Sequence, residues 1–469
     1  MCYINTGIQM LPKIKQWVEK GFKTLNLQSS RLLRRFLVTM STLSDQPDKS
    51  VLTASGGRGQ AKAVYRMLEN DKFTDDAVMS AHHDAIQARY DEIRAERGDV
   101  ELLAVQDTMS VNYEGHNKTA GLGYTGNDTR GLSVHSCLLI NDTSVPLGVL
   151  AQDVYSRPEP KAEGTHFEKR TRPIEEKESY RWLKTMKDAA KAAPRGANIV
   201  HVADREGDIY ELYALAASTG QSFVIRAIHD RIDTGHEHII TKLYGSEAVA
   251  QITVTVPENH ALRQKERKAV LTVRYGEFDI KRPQTVSKDA APESLKVNLV
   301  SVREEAPPDG IEPIEWLLMT NLPVNNADDA IHVVDIYRKR WKIERFHYIL
   351  KSGRAIEGLQ QRTVGGLTSM LLLYSIIAIQ IMALTFLART APESPASLLF
   401  DESELVILWK AANRTKSLPD GIITIARAAK LVAKLGGFAG APSDGAPGLK
   451  VIWQGLSKLY ALCAYVDYL

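Results

Sequence analysis

Tyr337, Arg340, Glu344 and Lys351 stand three, four and seven residues apart in the segment Asp335–Lys351. On a helix those spacings place all four side chains within a sector of roughly 60°. Ile336, Ile343 and Leu350 fall one position behind them, so the helix is expected to carry an apolar buried edge beside a polar working edge. From Arg338 to Arg354 there are seven Lys or Arg and a single acid, Glu344. One carboxylate in so basic a face suits a divalent metal held beside a polyanion, because the metal takes oxygen ligands and the cations take phosphates. A solvated basic helix with one stabilising ion pair would have the same pattern.

Two further acids each follow a short apolar strand pattern, Asp107 after Val100–Gln106 and Asp204 after Asn198–Ala203. Sheet ends aim side chains into a shared crevice. Three carboxylates converging there raise one another's pKa unless a cation neutralises them, so the expected cofactor is Mg²⁺, with Mn²⁺ as a substitute. Two ions held by Asp107, Asp204 and Glu344 would support in-line attack of water or a 3′-hydroxyl on a phosphodiester. A strand-end Asp can equally be a turn former or a helix cap, and Glu206 or Asp208 could stand in for Asp204. No HExxH, P-loop, GxSxG or zinc-type Cys/His pattern competes in the sequence.

These residues must be positioned by several elements. The first stretch, 1–95, has helical spacing in Ile14, Trp17, Val18 and Phe22 and again in Ala63, Val64, Met67 and Leu68, broken by the glycine run Thr53–Gly59. From residue 99 the period becomes that of strands: Val100–Gln106, Leu132–Ile140, Val145–Ala151, Asn198–Ala203 and Phe223–Arg226, with a helical stretch at Glu175–Ala193. That is a mixed α/β core over 96–231. Residues 232–313 read as a β-rich insertion with alternating strands at Gln251–Val256, Ala269–Tyr275 and Leu295–Val302 and a basic loop, Arg263, Lys265, Arg267 and Lys268. The core resumes over 314–392 with a strand at Trp316–Thr320, and 393–469 is helical, with a glycine-rich break at Gly436–Gly448.

A chain of 469 residues with 44% hydrophobic content has room for about three domains. Its net charge of +3 conceals an asymmetry, since residues 1–70 hold eleven Lys or Arg against four Asp or Glu. A basic amino end suggests nucleic-acid contact there. Three widely spaced cysteines make neither a disulfide framework nor a CxxC site, which fits a reducing cytosol, and no secretory signal is apparent at the amino end. Leu367–Ala388 is as long and apolar as a membrane span, but Ser369, Ser375, Gln380 and Thr385 interrupt it, and a buried core helix is expected instead.

The series Tyr337, Arg340, Glu344, Lys351, with Asp107 in Val-Gln-Asp-Thr-Met-Ser and Asp204 in Val-Ala-Asp-Arg-Glu-Gly-Asp-Ile, resembles the signature of the bacterial DDE cut-and-paste transposases of the insertion-sequence-four type. The resemblance covers nearly the whole chain. It implies an RNase H-like catalytic core interrupted by a β-rich insertion, flanked by a helical DNA-binding domain and a helical carboxy-terminal dimerisation region. It further implies cleavage of transposon ends through a hairpin and joining to target DNA by a homodimer in the bacterial cytoplasm. By the same resemblance Tyr337, Arg340 and Lys351 grip phosphates near the cleaved end, Trp316 fills the gap left by a flipped base, and Arg226 lies near the end DNA. From the residues alone, Trp316 is as well a core aromatic and Arg226 a surface ion-pair former. Leu25–Arg35 departs from the Gly-Asp-Arg-type segment common in the family. In that region Arg31, Arg34, Arg35 and Arg58 are the candidate DNA contacts, and Arg263, Lys265, Arg267 and Lys268 are candidates for backbone phosphate. The rival readings are an RNase H-like nuclease without strand transfer and a catalytically silent DNA-binding inhibitor.

Overall fold

The computed structural model describes residues 17–46, 49–115, 118–126, 129–157, 171–256, 265–352, 356–417, 421–441 and 447–466. One nine-stranded sheet organises them, with strand order β3-β2-β1-β4-β5-β9-β8-β7-β6. Its first half is β1 (Glu101–Asn112), β2 (Gly131–Asn141), β3 (Pro146–Tyr155), β4 (Asn198–Ala203) and β5 (Ser222–Arg226). β1, β2 and β3 form an antiparallel meander, while β4 pairs parallel with β1 and β5 parallel with β4. This five-strand pattern is the RNase H-like core.

The β-rich insertion does not stand apart as its own sheet. β6 (Ala250–Val256), β7 (Arg267–Lys281) and β8 (Ser294–Arg303) are successive antiparallel strands, and β9 (Glu315–Thr320) carries them onto the core by pairing with both β8 and β5. Leu318, Met319 and Thr320 are paired on both sides, Thr320 standing opposite Val224 of β5 and Asn298 of β8.

Helices cover both faces because alternate residues of β1 are buried on opposite sides. Leu103, Val105, Met109 and Val111 join the core that contains α9 (Ala327–Arg338), α10 (Trp341–Ser352) and α11 (Val364–Thr390). Leu102 and Ala104 face α5 (Asp75–Arg97) instead. On that side, α6 (Tyr180–Ala192) and α7 (Tyr210–Thr219) bury Trp182, Leu212 and Tyr213 against Phe223 and Ile225 of β5. α5 is capped by the Thr74 hydroxyl and ended by Gly98 at φ 77°, and it packs both on β3 and on the short helix at Trp17–Gly21. His82 accepts the Val149 N–H at 3.0 Å, and a Cβ on Gly148 would stand 2.5 Å from the Ile86 Cδ1. Only glycine lets α5 approach so closely.

α11 has 27 residues and is the one described helix long and apolar enough to cross a membrane. Its most apolar 18-residue window is 83% buried inside the protein. It packs against β3, α10 and two carboxy-terminal helices, α13 (Ile425–Leu435) and α14 (Leu449–Val466), on which α12 (Glu402–Asn413) packs in turn. The amino-terminal region is α1 (Trp17–Gly21), α2 (Ser30–Asp45), α3 (Val51–Ala54) and α4 (Arg58–Leu68). α2 starts at an N-cap, Ser29, and buries Leu32, Phe36, Met40 and Leu43 along one edge, with Phe36 edge-on to Phe22 at 4.8 Å. The short α8 (Ile239–Tyr244) lies under β7.

Candidate active site

Asp107 does not end a strand. The apolar period continues through Met109 and Val111, so β1 runs on to Asn112 with Asp107 opposite Ser136 of β2. On its other side, however, the parallel register with β4 stops at Val105↔Val202. Past that point β1 keeps β2 on one side but has no strand beside it on the other among the described residues. Asp107 lies just beyond that point on β1, and Asp204 directly follows the end of β4, near enough to act on the Asp107 carboxyl. The geometry expected from two strand ends is thus produced by one strand ending beside a longer one.

The helix carrying Glu344 also differs from expectation. Asp335–Lys351 is not one continuous helix: α9 ends at Arg338, and α10 begins at Trp341. Between them the Arg340 N–H bonds to the Tyr337 carbonyl and the Ile343 N–H to the Arg340 carbonyl, both i to i+3 links. Such tight links rotate the chain more per residue than an α-helix does. Tyr337 therefore belongs to α9, and Glu344 and Lys351 to α10, with Arg340 in the turn. Ile343, Phe346 and Leu350 are fully buried beneath α10.

Arg340 stands between two carboxylates. Its Nη2 donates to the Glu344 Oε1 at 2.6 Å, and its Nη1 lies 3.7 Å from the Asp107 Oδ2. Burial pushes the Asp107 carboxyl up to about 7; the Thr108 N–H and Arg340 lower it, and Asp204 and Glu344 raise it further. All three candidate acids are therefore in electrostatic contact. The His347 Nδ1 lies 4.0 Å from the Asp107 Oδ2, and burial with Lys351 and Arg340 nearby drives the His347 imidazole down to about 3, so the ring is neutral. Three carboxylates are a hard-oxygen donor set that fits Mg²⁺ or Mn²⁺. Among the described residues, no group of three His, Cys, Asp or Glu side chains is gathered as a ready metal cage, and the Arg340 guanidinium fills the place between Asp107 and Glu344.

Asp204 is also a cap, its Oδ1 accepting the Glu206 N–H at 2.9 Å to start a 3₁₀ turn over Arg205–Gly207. Its two possible substitutes are otherwise engaged. Asp208 is wholly buried, ion-paired with Arg231, and accepts the Tyr213 hydroxyl and the Ile228 and His229 N–H groups. Glu206 accepts from Arg181 at 2.5 Å. Arg181 of α6 is a residue the sequence pattern did not single out. Its Nε donates to the Thr108 hydroxyl at 3.1 Å and its Nη1 to the Glu178 carbonyl at 3.1 Å, so one guanidinium ties the neighbour of Asp107 to the turn after Asp204. Behind Thr108, polar contacts run from His135 at 2.8 Å to Gln106 at 3.2 Å, His201 at 3.5 Å and Gln221 at 3.2 Å. Alternation along β1 and pairing with β2 and β4 could have suggested this buried chain.

The remaining candidates divide by position. Trp316 is half-buried on β9 with its ring edge-on to Tyr337 at 5.8 Å, and Tyr337 is itself buried, its hydroxyl pKa raised by desolvation. Arg226, at the end of β5, donates to the Glu315 carbonyl at 3.0 Å, and Lys351 is exposed on α10. Arg31, Arg34 and Arg35 lie along α2 and Arg58 opens α4. Arg263 lies outside the described residues. Lys265 and Lys268 are exposed, whereas Arg267 is not part of a free basic loop: it begins β7 and forms a bidentate pair with the buried Glu304.

Comparison with known proteins bears on both ends of the chain. Residues 14–73 match the family described as transposase DNA-binding, and residues 376–468 match the transposase Tn5 dimerisation domain. The second match begins inside α11 and takes in all the helices after it. Among solved structures, the piggyBac transposase synaptic complex with hairpin DNA matches 83% of this chain and 74% of its own, at 9% identity and a TM-score of 0.38.

Proposed function

Because its two end domains make this chain a Tn5-like transposase of the insertion-sequence-four family, we propose that it binds the terminal inverted repeats of its own element and pairs two ends as a homodimer. It then hydrolyses the strand ends and uses the freed 3′-hydroxyl first on the opposite strand, giving a hairpin, and later on target DNA. The observation that carries this reading is the end of β4 beside the longer β1, which brings Asp204 near Asp107, with Arg340 reaching from Asp107 to Glu344.

Asp107, Asp204 and Glu344 would hold Mg²⁺, which supplies Lewis-acid stabilisation of the attacking and leaving oxygens. Arg340 links DNA arrival to readiness of the acids. A backbone phosphate competes with Glu344 for the guanidinium and is the better bidentate partner, so DNA on Arg340 releases Glu344 toward the other two carboxylates. Lys351 adds a second cation on the same edge, and Arg226 approaches from β5. Trp316, half-exposed beside Tyr337, offers a ring face on which an unstacked base can rest, offsetting part of the cost of flipping it. Neutral His347 packs beside Asp107 without adding charge to it.

The test is incubation of purified protein with a plasmid carrying the DNA that flanks the gene, with and without Mg²⁺, beside Glu344→Gln. Metal-dependent excision and joining, lost in the variant while DNA binding persists, is the expected result. Cleavage without joined product would instead identify a nuclease, and binding without cleavage an inhibitor.

A further inference from the structure

A cavity of about 420 Å³ lies between α2 and the turn leading into α4, far in sequence from the carboxylates. Arg31, Arg34 and Arg35 line it from α2, and no acid is among the lining residues. Arg35 is held by the neutral Gln60 Oε1 at 2.8 Å; Arg31 and Arg34 have no ion-pair partner among the described residues. The walls are not merely basic. Thr39, 2% exposed, and Ser55 both line the cavity with hydroxyl oxygens that are buried and have no hydrogen-bond partner among the described residues. Two such hydroxyls at one place are unusual, because each forfeits a bond to water on folding. A Thr on a helix has two accessible χ1 rotamers, so the Thr39 hydroxyl can turn toward a bound group. Gly57, at φ 155°, begins α4 without a side-chain cap, and Gln60 in the first turn of that helix lines the cavity.

We propose that this cavity takes one sugar–phosphate unit of a DNA backbone, and so fixes the amino-terminal domain on the duplex without reading a base. The inference rests on the transposase reading and specifies how one of its DNA contacts is made. Arg31 and Arg34 at the mouth neutralise the phosphate, the two hydroxyls supply the donors that it lacks after leaving water, and Val38 and Val64, which also line the space, pack on the deoxyribose. A phosphate alone would leave much of this volume unfilled. A base-reading face would project its donors outward into the groove, whereas these hydroxyls are walled in.

The experiment uses the full chain and two short duplexes of equal length, one carrying the element's terminal repeat and one unrelated, with affinity followed by fluorescence anisotropy over a range of salt. Arg34→Gln, on an exposed side chain, is expected to weaken binding to both duplexes by the same factor, about tenfold at low salt, and to reduce the slope of log affinity against log salt by about one. Thr39→Val is expected to keep or raise the melting temperature, since it removes an unpartnered buried hydroxyl, yet to weaken both duplexes severalfold; Thr39→Ser should restore binding. A loss confined to the terminal-repeat duplex would overturn the proposal in favour of base reading. Unchanged affinity in either Arg34→Gln or Thr39→Val would overturn it too. Failure of the transposase reading would look different: absent metal-dependent cleavage with these binding effects intact.

Discussion

Replacing Asp107 by Asn should make the metal-free protein more stable while removing its response to Mg²⁺. The magnitude follows from the raised carboxyl, moved from 3.8 to about 7 by burial and by the two neighbouring acids. The folded state holds this proton more tightly than the unfolded chain does. Between pH 3.8 and about 7 the unfolded chain has released the proton and the folded protein has not, so stability falls by about 1.4 kcal/mol for each unit of rising pH. Above that window the loss levels off at about 4 kcal/mol as an upper bound. The side chain is 19% exposed, so solvent screens only part of it. Asn escapes the cost but gives up the attraction of Arg340, leaving an expected net gain of about 1–3 kcal/mol at pH 8. The assay is urea unfolding of both proteins in chelator from pH 4 to pH 8, followed by Mg²⁺ titration at pH 8. The stability difference should be near zero at the acid end, grow through the window and then level, and Mg²⁺ should raise the melting temperature of the wild type alone. A variant less stable than wild type at pH 8, or a difference independent of pH, would show that burial and the neighbouring acids do not hold the Asp107 carboxyl protonated.

Two other outcomes follow from the supports of the site. Arg181→Lys keeps the charge but cannot reach Thr108, Glu206 and the Glu178 carbonyl together, so metal-dependent cleavage is expected to slow about tenfold with DNA affinity within about twofold of wild type; equal losses in both would refute a positioning role. Asp208→Ala leaves the Arg231 guanidinium, 7% exposed, without its counter-charge and frees the Ile228 and His229 N–H groups, an expected cost of about 3–5 kcal/mol in denaturant unfolding; a loss under about 1 kcal/mol would mean that water replaces the carboxylate there.

What the sequence determined by itself was local. Strand alternation located all nine strands, because the period of two is written in neighbouring residues; Asn198–Ala203 is β4 to the residue, which leaves Asp204 at a strand end as expected. The apolar length of Leu367–Ala388, interrupted by Ser369, Ser375, Gln380 and Thr385, signalled a buried helix, and the spacing of Tyr337, Arg340, Glu344 and Lys351 brought Arg340 and Glu344 into contact, since an i to i+4 pair meets whether or not the helix is perfect. Tertiary structure decided what depends on partners distant in the chain. Asp107 sits at an opening because β2 continues beside it while β4 stops, and no pattern within β1 records where β4 ends. Arg267 looked like one more cation in a basic loop, yet Glu304, 37 residues away and just past the end of β8, holds it at the start of β7. The insertion became part of the central sheet through Leu318, Met319 and Thr320 of β9, each paired on both sides, and Arg181 reached the site only when α6 was laid across β1. Periodicity reports the faces of an element; the closure of the chain decides which faces meet.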